Sequence, residues 1–334
     1  MSIAPFPAAP RARRLFAAAA VALAACGAGP AVAADKLDCP NVRFVSPYPP
    51  GGTTDILARL LAPSLQESLG VPVVVDNKAG ASSNIGTEFV ARSTPDGCTL
   101  LLGNNTGVVI NRNLYKLRID PVKDLQPIAQ VAAVPLVLYV NPKVPVKTVG
   151  ELVDLLKREP GKYNFASGGS GSPQHLAGEL LKLRAGVDMM HIPYKGQGPA
   201  MTDVIAGQVQ IAFETTAALL PQARAERVRP LATSGAERAD AFPSLPTMVE
   251  SGYKGFVITN WYGVFAPAGL PQDLTQRLNA AVNRALAAPD VASKLADMGS
   301  ARMGGADAAA FAAFIQEEVP RWEEIVQRSG AKVD

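Results

Sequence analysis

The chain reads as an α/β protein of two lobes, each lobe a mainly parallel sheet flanked by helices. Three observations predict this. Short β-branched runs alternate with helical stripes, the pattern of parallel strands joined by crossover helices. A glycine-rich turn leads from a strand into a helix twice, once in each half. The length beyond the leader, about 300 residues, exceeds one comfortable core and suits two lobes of ~120–180 residues. The expected boundaries are a leader at 1–34, the first part of lobe 1 at 35–136, lobe 2 at 137–257 and a return to lobe 1 at 258–334.

In order, Val42–Val45 is the first strand, followed by Tyr48-Pro49-Pro50-Gly51-Gly52-Thr53-Thr54-Asp55. The prolines stiffen the approach and the glycines permit positive φ. Thr54 or Asp55 is expected to cap a helix with Leu57, Leu60, Leu61 and Leu65 on one face, closing at Gly70, with a kink or an early break at Pro63. Val71–Val75 is a buried strand, Ile85–Arg92 a helix ended by Pro95-Asp96-Gly97, and Cys98–Leu102 another strand. Val137–Val140 restarts the pattern. Thr148-Val149-Gly150-Glu151 is a capping box, and Pro160-Gly161 stops its helix. Tyr163–Ala166 runs into Ser167-Gly168-Gly169-Ser170-Gly171-Ser172, where Ser172 caps a helix with Pro173 in its first turn. Met189–Ile192, Val209–Phe213 and Arg229–Thr233 are further strands, with a helix near 199–206 and a strand-rich return at 256–265. Helices at 273–287, 291–298 and 307–327 finish the chain, the last capped by Asp307 and kinked at Pro320, and they are expected to pack back on lobe 1. Crossings near residues 135 and 258 make a two-strand hinge.

Arg11, Arg13 and Arg14, an apolar core over 15–25 and Ala31-Val32-Ala33-Ala34 form an export leader. Arg13-Arg14-Leu15-Phe16 fits a twin-arginine signal. Leu23-Ala24-Ala25-Cys26 fits a lipoprotein box, so Sec, Tat and anchoring through Cys26 all stay open. With three of the 32 basic residues in the leader, the rest carries 29 of each sign. That neutrality argues against nucleic acid, and anion binding must rest on local potential. No later stretch is apolar for the ~18 residues of a membrane helix. In an oxidising periplasm Cys39 and Cys98 invite a disulfide, two free buried thiols being the other reading.

The two glycine-rich turns each place free N–H groups and a positive dipole end on one spot, which suits an anion. The first is too short for a phosphate-cradling loop and lacks its lysine, so a carboxylate is expected. Taken together, Tyr48–Asp55, Asp76-Asn77-Lys78-Ala79-Gly80-Ala81, Thr94-Pro95-Asp96-Gly97, Pro193-Tyr194-Lys195-Gly196 and Trp261-Tyr262-Gly263-Val264-Phe265-Ala266-Pro267 resemble the solute-binding proteins of the tripartite tricarboxylate transporter family, the Bug receptors. The resemblance covers nearly all of the chain from residue 41. It implies a periplasmic-binding-protein-like, Venus-flytrap architecture that closes on a small carboxylate, whether a di- or tricarboxylate, an aromatic carboxylate or an acidic amino acid. Backbone amides and ordered water from both lobes would hold one carboxylate. It further implies a monomeric receptor without cofactor, serving a large and a small integral-membrane subunit. Some relatives act as sensors instead.

The candidate ligand-binding residues in lobe 1 are Gly51, Gly52 and Thr53, with Asn84, Asn104 and Thr106 following strands at the cleft. Asp55 beside an anion site repels ligand, so capping or bracing the loop is its expected job. Lobe 2 offers Ser167, Gly168, Ser170, Ser172, His175, Tyr194 and Lys195. Glu214, at a strand end, is placed to meet an amino group or a distal hydroxyl and so to select ligand type. Trp261 and Tyr262 are expected to pack the hinge or core, with a pocket wall as a secondary role. An enzyme is disfavoured: Gly168–Ser172 lacks the closing glycine of a nucleophile elbow, and the two histidines, His175 and His191, complete no triad. No cluster has metal-ligand spacing.

Overall fold

Strand β1 (Val42–Ser46) buries Val42, Phe44, Val45 and Ser46 and leaves Arg43 exposed. It feeds α1 (Thr53–Leu69), which ends at Gly70 in the left-handed region, φ 70°. β2 (Val73–Asn77) and β3 (Thr99–Asn104) lie on either side of β1, both parallel to it. α2 (Asn84–Ala91) connects them. In this computed structural model, residues 1, 2, 4, 37–194, 196–299, 301–302 and 305–332 are described. The rest of the leader, Cys26 and Lys195 lie outside them.

β4 (Leu125–Val140) organises the rest. Its first two-thirds pair antiparallel with β9 (Thr259–Pro267), from Leu125 beside Pro267 to Pro135 beside Thr259, and β9 pairs antiparallel with β3. The last third enters a second sheet, antiparallel to β7 (Ile211–Thr215) and β8 (Arg229–Thr233). β5 (Asn164–Ser167) is parallel to β7 and to β6 (Met190–Pro193). A two-residue strand, β10 (Ala301–Arg302), pairs with β4 at Ala132–Ala133. Both sheets are therefore mixed: the expected parallel strands are present, and β4, β8, β9 and β10 add antiparallel pairing.

The register fixes how the sheets meet. β4 runs in the direction of β1–β3, so it leaves the first sheet at the edge where those strands end. Leu136 then lies beside Thr215, the last residue of β7. Thus β4 passes from the C-terminal edge of one set of parallel strands directly into the C-terminal edge of the other. Ser234 fastens this crossing. Its hydroxyl donates to Ile258 O at 2.5 Å and accepts from Leu136 N–H at 2.9 Å, while its own N–H donates to Leu136 O at 2.7 Å.

The helices of the second half follow the parallel-strand logic: α3 (Val149–Arg158), α4 (Pro173–Ala185), α5 (Gln197–Ala206) and α6 (Thr216–Arg224). Thr148 Oγ1 accepts from Glu151 N–H as a capping box requires, although the Glu151 carboxylate reaches Lys147 N–H. The chain closes with α7 (Gln272–Ala287), α8 (Pro289–Asp297) and α9 (Ala308–Ser329). The helix containing Pro63 runs on without the early break, and the helix containing Pro320 is likewise continuous. Both prolines sit on exposed faces, where water can take the carbonyl that the missing N–H leaves free.

On one face a single apolar core runs through both sheets, from Leu101, Trp261 and Phe311 to Leu138, Phe165, Leu176 and Phe213. α9 spans it, packing on α4 of the second half as well as on β4, so the terminal helices do not belong to the first sheet alone. On the other face the cores are separate. Phe44, Leu57, Leu100, Val264 and Val282 form one, and Val137, Tyr139, Ala212, Val204 and Leu219 form the other. One side is joined; the other is split.

Among the described residues no helix is long and apolar enough to cross a membrane. Cys39 and Cys98 are joined by a disulfide with Cα atoms 6.1 Å apart, linking the approach to β1 with the start of β3.

Candidate functional site

At the first edge the turn between β1 and α1 differs from expectation in its cap. Gly52, in extended conformation, is the N-cap and offers no side chain, so neither Thr54 nor Asp55 caps the helix. Asp55 braces the loop instead. Its Oδ2 accepts from Gly51 N–H at 3.0 Å, its Oδ1 accepts from Asn77 Nδ2 at 2.9 Å, and Arg59 Nε donates to both oxygens at 3.0 Å. The Arg59 partnership, with the Gly51 and Asn77 bonds, holds the carboxyl down at about 2. The Gly51 amide is thereby used, and what Gly51 supplies is its φ of +87°. The amides of Gly52, Thr53 and Thr54 remain at a helix start without intrahelical partners.

Around this start the structure gathers Thr53, Asn104 and Thr106 with three residues that the sequence reading left out of the ligand set. Tyr48 donates to Asn104 Oδ1 at 3.2 Å, and Gly107 N–H donates to the same oxygen at 3.3 Å. Ser83 and Thr106 also face the Tyr48 hydroxyl, and burial pushes that phenol up. Asn260 Nδ2 donates to the Tyr262 hydroxyl at 2.9 Å, with the Thr53 side chain beside it. Tyr48 was legible as the aromatic directly after a strand end. Ser83 carries a conformational signal instead: Ala81, Ser82 and Ser83 all have positive φ, at 45°, 52° and 79°. Such a run costs roughly 1–2 kcal/mol per residue and persists only where surroundings enforce it. Asn111 Nδ2 does so, donating to Ser82 O at 2.7 Å and to Asn84 Oδ1 at 2.6 Å. Asn84, through its Oδ1, therefore helps to lock the strained turn.

At the second edge Ser172 caps α4, accepting from His175 N–H at 3.2 Å. Gly168 permits a close approach: a Cβ there would lie 2.8 Å from Gln197 N, at the start of α5. Two helix starts, α4 and α5, thus share one glycine-rich loop. Ser167 and His175 are turned inward. The Ser167 hydroxyl lies 2.7 Å from His191 Nε2, and His175 Nδ1 accepts from Gly171 N–H at 3.0 Å. The imidazoles stack 3.8 Å apart, 15° from parallel, with Phe165 beside them. Burial pushes His175 down to about 4 and His191 to about 3. Tyr194 is also occupied: its hydroxyl donates to Asp203 at 2.7 Å, and burial with that carboxylate lifts it to about 12. Ser170 is half-buried at the loop.

The stacked histidines predict an acid-sensitive core. Their native values lie below those of the unfolded chain, so between pH ~6.5 and ~4 the unfolded state takes up protons that the native state refuses, and stability falls as pH drops. Glu214, discussed next, acts with opposite sign over part of this range, so the comparison is between the protein and H175Q. The protein should lose about 2–3 kcal/mol more than H175Q in urea unfolding between pH 7 and pH 4.5. Parallel profiles would refute this.

Glu214, the penultimate residue of β7, is 2% exposed. Its Oε1 accepts from Thr215 N–H at 2.7 Å and from Thr215 Oγ1 at 3.1 Å, and Gln174 stands near. Burial pushes its carboxyl up to about 7 despite those bonds. Its charge reaches Tyr262 of the first sheet, pushing that phenol up further than burial alone. Glu214 and Tyr262 both lie on the side where the two cores are separate, near enough for the carboxylate to be felt by the phenol. Trp261 alternates to the opposite face and is wholly buried against Phe311 and Phe314. Thr216, two residues after Glu214, also touches the first half, its hydroxyl donating to Met298 O and Gly299 O at 3.3 and 3.2 Å. Beside that contact a groove of about 770 Å³ runs between α6 and α8, lined by Leu220, Arg224, Asp240 and Ala296 among others. Neither glycine-rich loop lines it. The edge residues Asn104, Thr106, Ser167, Gln174 and Glu214 are buried.

Residues 57–331 match the family described as the tripartite tricarboxylate transporter family receptor. The chain belongs to that family. It is 38% identical over 322 residues to protein BugT of Bordetella pertussis, covering 96% of this chain and 98% of BugT. Among solved structures, an R. palustris protein with adipate superposes with a TM-score of 0.81 at 33% identity, covering 88% of this chain and 98% of the other. MatC from Rhodopseudomonas palustris, with bound malate, gives 0.77 at 32% identity, covering 86% and 98%. The family and the solute-binding fold thus agree with the resemblance read from Tyr48–Asp55 and its companion motifs.

Proposed function

We propose that this receptor captures a small carboxylated solute outside the cytoplasmic membrane and delivers it to a large and a small integral-membrane transporter subunit. The observation that carries the reading is the facing of two edges across β4, each presenting helix N-termini on glycine-rich turns. One edge offers the amides of Gly52, Thr53 and Thr54; the other offers the starts of α4 and α5 around the Gly168–Ser172 loop, in which Gly169, Gly171 and Ser172 already spend their amides on Ser167, His175 and Gly169. Amides at helix starts recognise a carboxylate without a cationic side chain, in keeping with a charge-balanced chain. Adipate and malate in the two relatives are ligands of this chemistry. The lobes divide at 136/137 and 257/258. Closure is a hinge movement about the Ser234 fastening, the joined core forming its back. The role is capture, not catalysis: Ser167 is buried, His191 half-buried, and the pair has no carboxylate in the part a triad requires.

The test is thermal unfolding of the purified protein against a broad panel of mono-, di- and tricarboxylates, aromatic acids and amino acids. A ligand at 100 times its Kd should add about 2.7 kcal/mol of stability. A panel in which no acid moves the transition would refute the reading.

A further inference from the structure

Glu214 is the group at this site that a plain carboxylate does not explain. Its Oε1 is satisfied by Thr215, but Oε2 is buried without a hydrogen-bond partner. None of the ion pairs among the described residues includes it. The groups that sense it are Gln174 of α4, Tyr139 of β4 and Tyr262 of β9, none of them a cation. Two more buried acceptors are unpartnered close to the crossing. Asn260 uses its Nδ2 on Tyr262 and Asn105 uses its Nδ2 on Thr259 O, leaving Oδ1 free in each. A buried carboxylate oxygen left unsatisfied is costly, and Glu214 Oε2 therefore lacks a donor.

The site offers partners of both signs. Helix starts provide N–H groups for an anion; Glu214, Asn105 and Asn260 provide oxygens for a donor. Resting on the carboxylate reading above, we propose that the solute is an amino carboxylate, whose carboxylate meets the helix starts and whose ammonium group meets Glu214 Oε2. A plain diacid would set a second carboxylate against Glu214, and like charges in a buried site repel. An ammonium group satisfies the orphaned oxygen with a charge-assisted bond.

Matched pairs differing only in the amine test this: aspartate against succinate, glutamate against glutarate, and 4-aminobutanoate against butanoate, titrated by calorimetry at pH 7.5. In at least one pair the amino member should bind roughly 10-fold or more tightly than its partner, the value of one charge-assisted bond. In E214Q that preference should vanish while the des-amino acid binds no more weakly. The proposal is overturned if the des-amino member wins in every pair, or if E214Q keeps the preference. The comparison within the unaltered protein stands even if E214Q folds poorly. Tight binding of succinate or glutarate with no gain from the amine sinks this inference alone, whereas silence from every carboxylate sinks the carboxylate reading with it.

Discussion

Replacing Glu318 with alanine should destabilise the protein by about 3–5 kcal/mol, because it strands two buried indole donors at once. Glu318 lies on α9 and is 4% exposed. Its Oε2 accepts from Trp261 Nε1 at 2.9 Å and from Trp322 Nε1 at 2.7 Å, while Arg321 Nη1 donates to Oε1 at 2.9 Å. Trp261 and Trp322 are 0% and 1% exposed, so water cannot replace the lost acceptor. Arg321 also donates to Val257 O, so the same carboxylate anchors the strand by which the chain returns through the crossing. The substitution thus loosens α9 from β9 on the face where the core is continuous. E318Q keeps one acceptor oxygen and should cost clearly less. Urea unfolding decides the matter, and a loss below ~1 kcal/mol in E318A would show that the indoles find other partners.

The second large effect is covalent. The Cys39–Cys98 disulfide closes a loop with a sequence separation of 59 residues. Constraining a loop of that length in the unfolded chain is worth about 4 kcal/mol in the chain-entropy account. The bridge ties neighbours in one sheet, where Arg43 of β1 donates its N–H to Cys98 O at 2.8 Å. Native register therefore survives without it, and the loss should fall on the unfolded state. The double variant C39S/C98S and the reduced protein should show the same lowered midpoint in guanidinium, with the fold retained. An unchanged midpoint would contradict this.

How far the sequence reaches is clearest at particular elements. The apolar face of α1, the Thr148 and Ser172 caps, the Asp307 cap and strand β8 come from local rules, and the structure has them where the residues place them. β4 escaped for most of its length. Leu125–Pro135 carries Pro127, Pro135 and three alanines, a poor strand by propensity, and it exists through its pairing with β9, more than a hundred residues away. α6 escaped too, since Thr216–Arg224 holds Pro221 and only a short apolar stripe.

At the site, the two glycine-rich turns and the strand-end position of Glu214 were legible because they depend on chain order. The fate of individual side chains was not. Whether Asn84 bonds Asn111, Tyr194 bonds Asp203 or His175 stacks on His191 depends on partners brought in by the fold. The Gly51 amide is a similar case, spent on a carboxylate only four residues ahead. Asn260 joined the site for the complementary reason, the pairing of β9 with β3 bringing it to the Thr53 turn.

The central claim is that both edges grip one solute together. Amide hydrogen exchange, with and without the acid from the panel that stabilises most, measures this directly. Protection should rise at once over 52–54 and over 168–172, two segments more than a hundred residues apart. Protection confined to one of these turns, or appearing instead along the groove between α6 and α8, would contradict it.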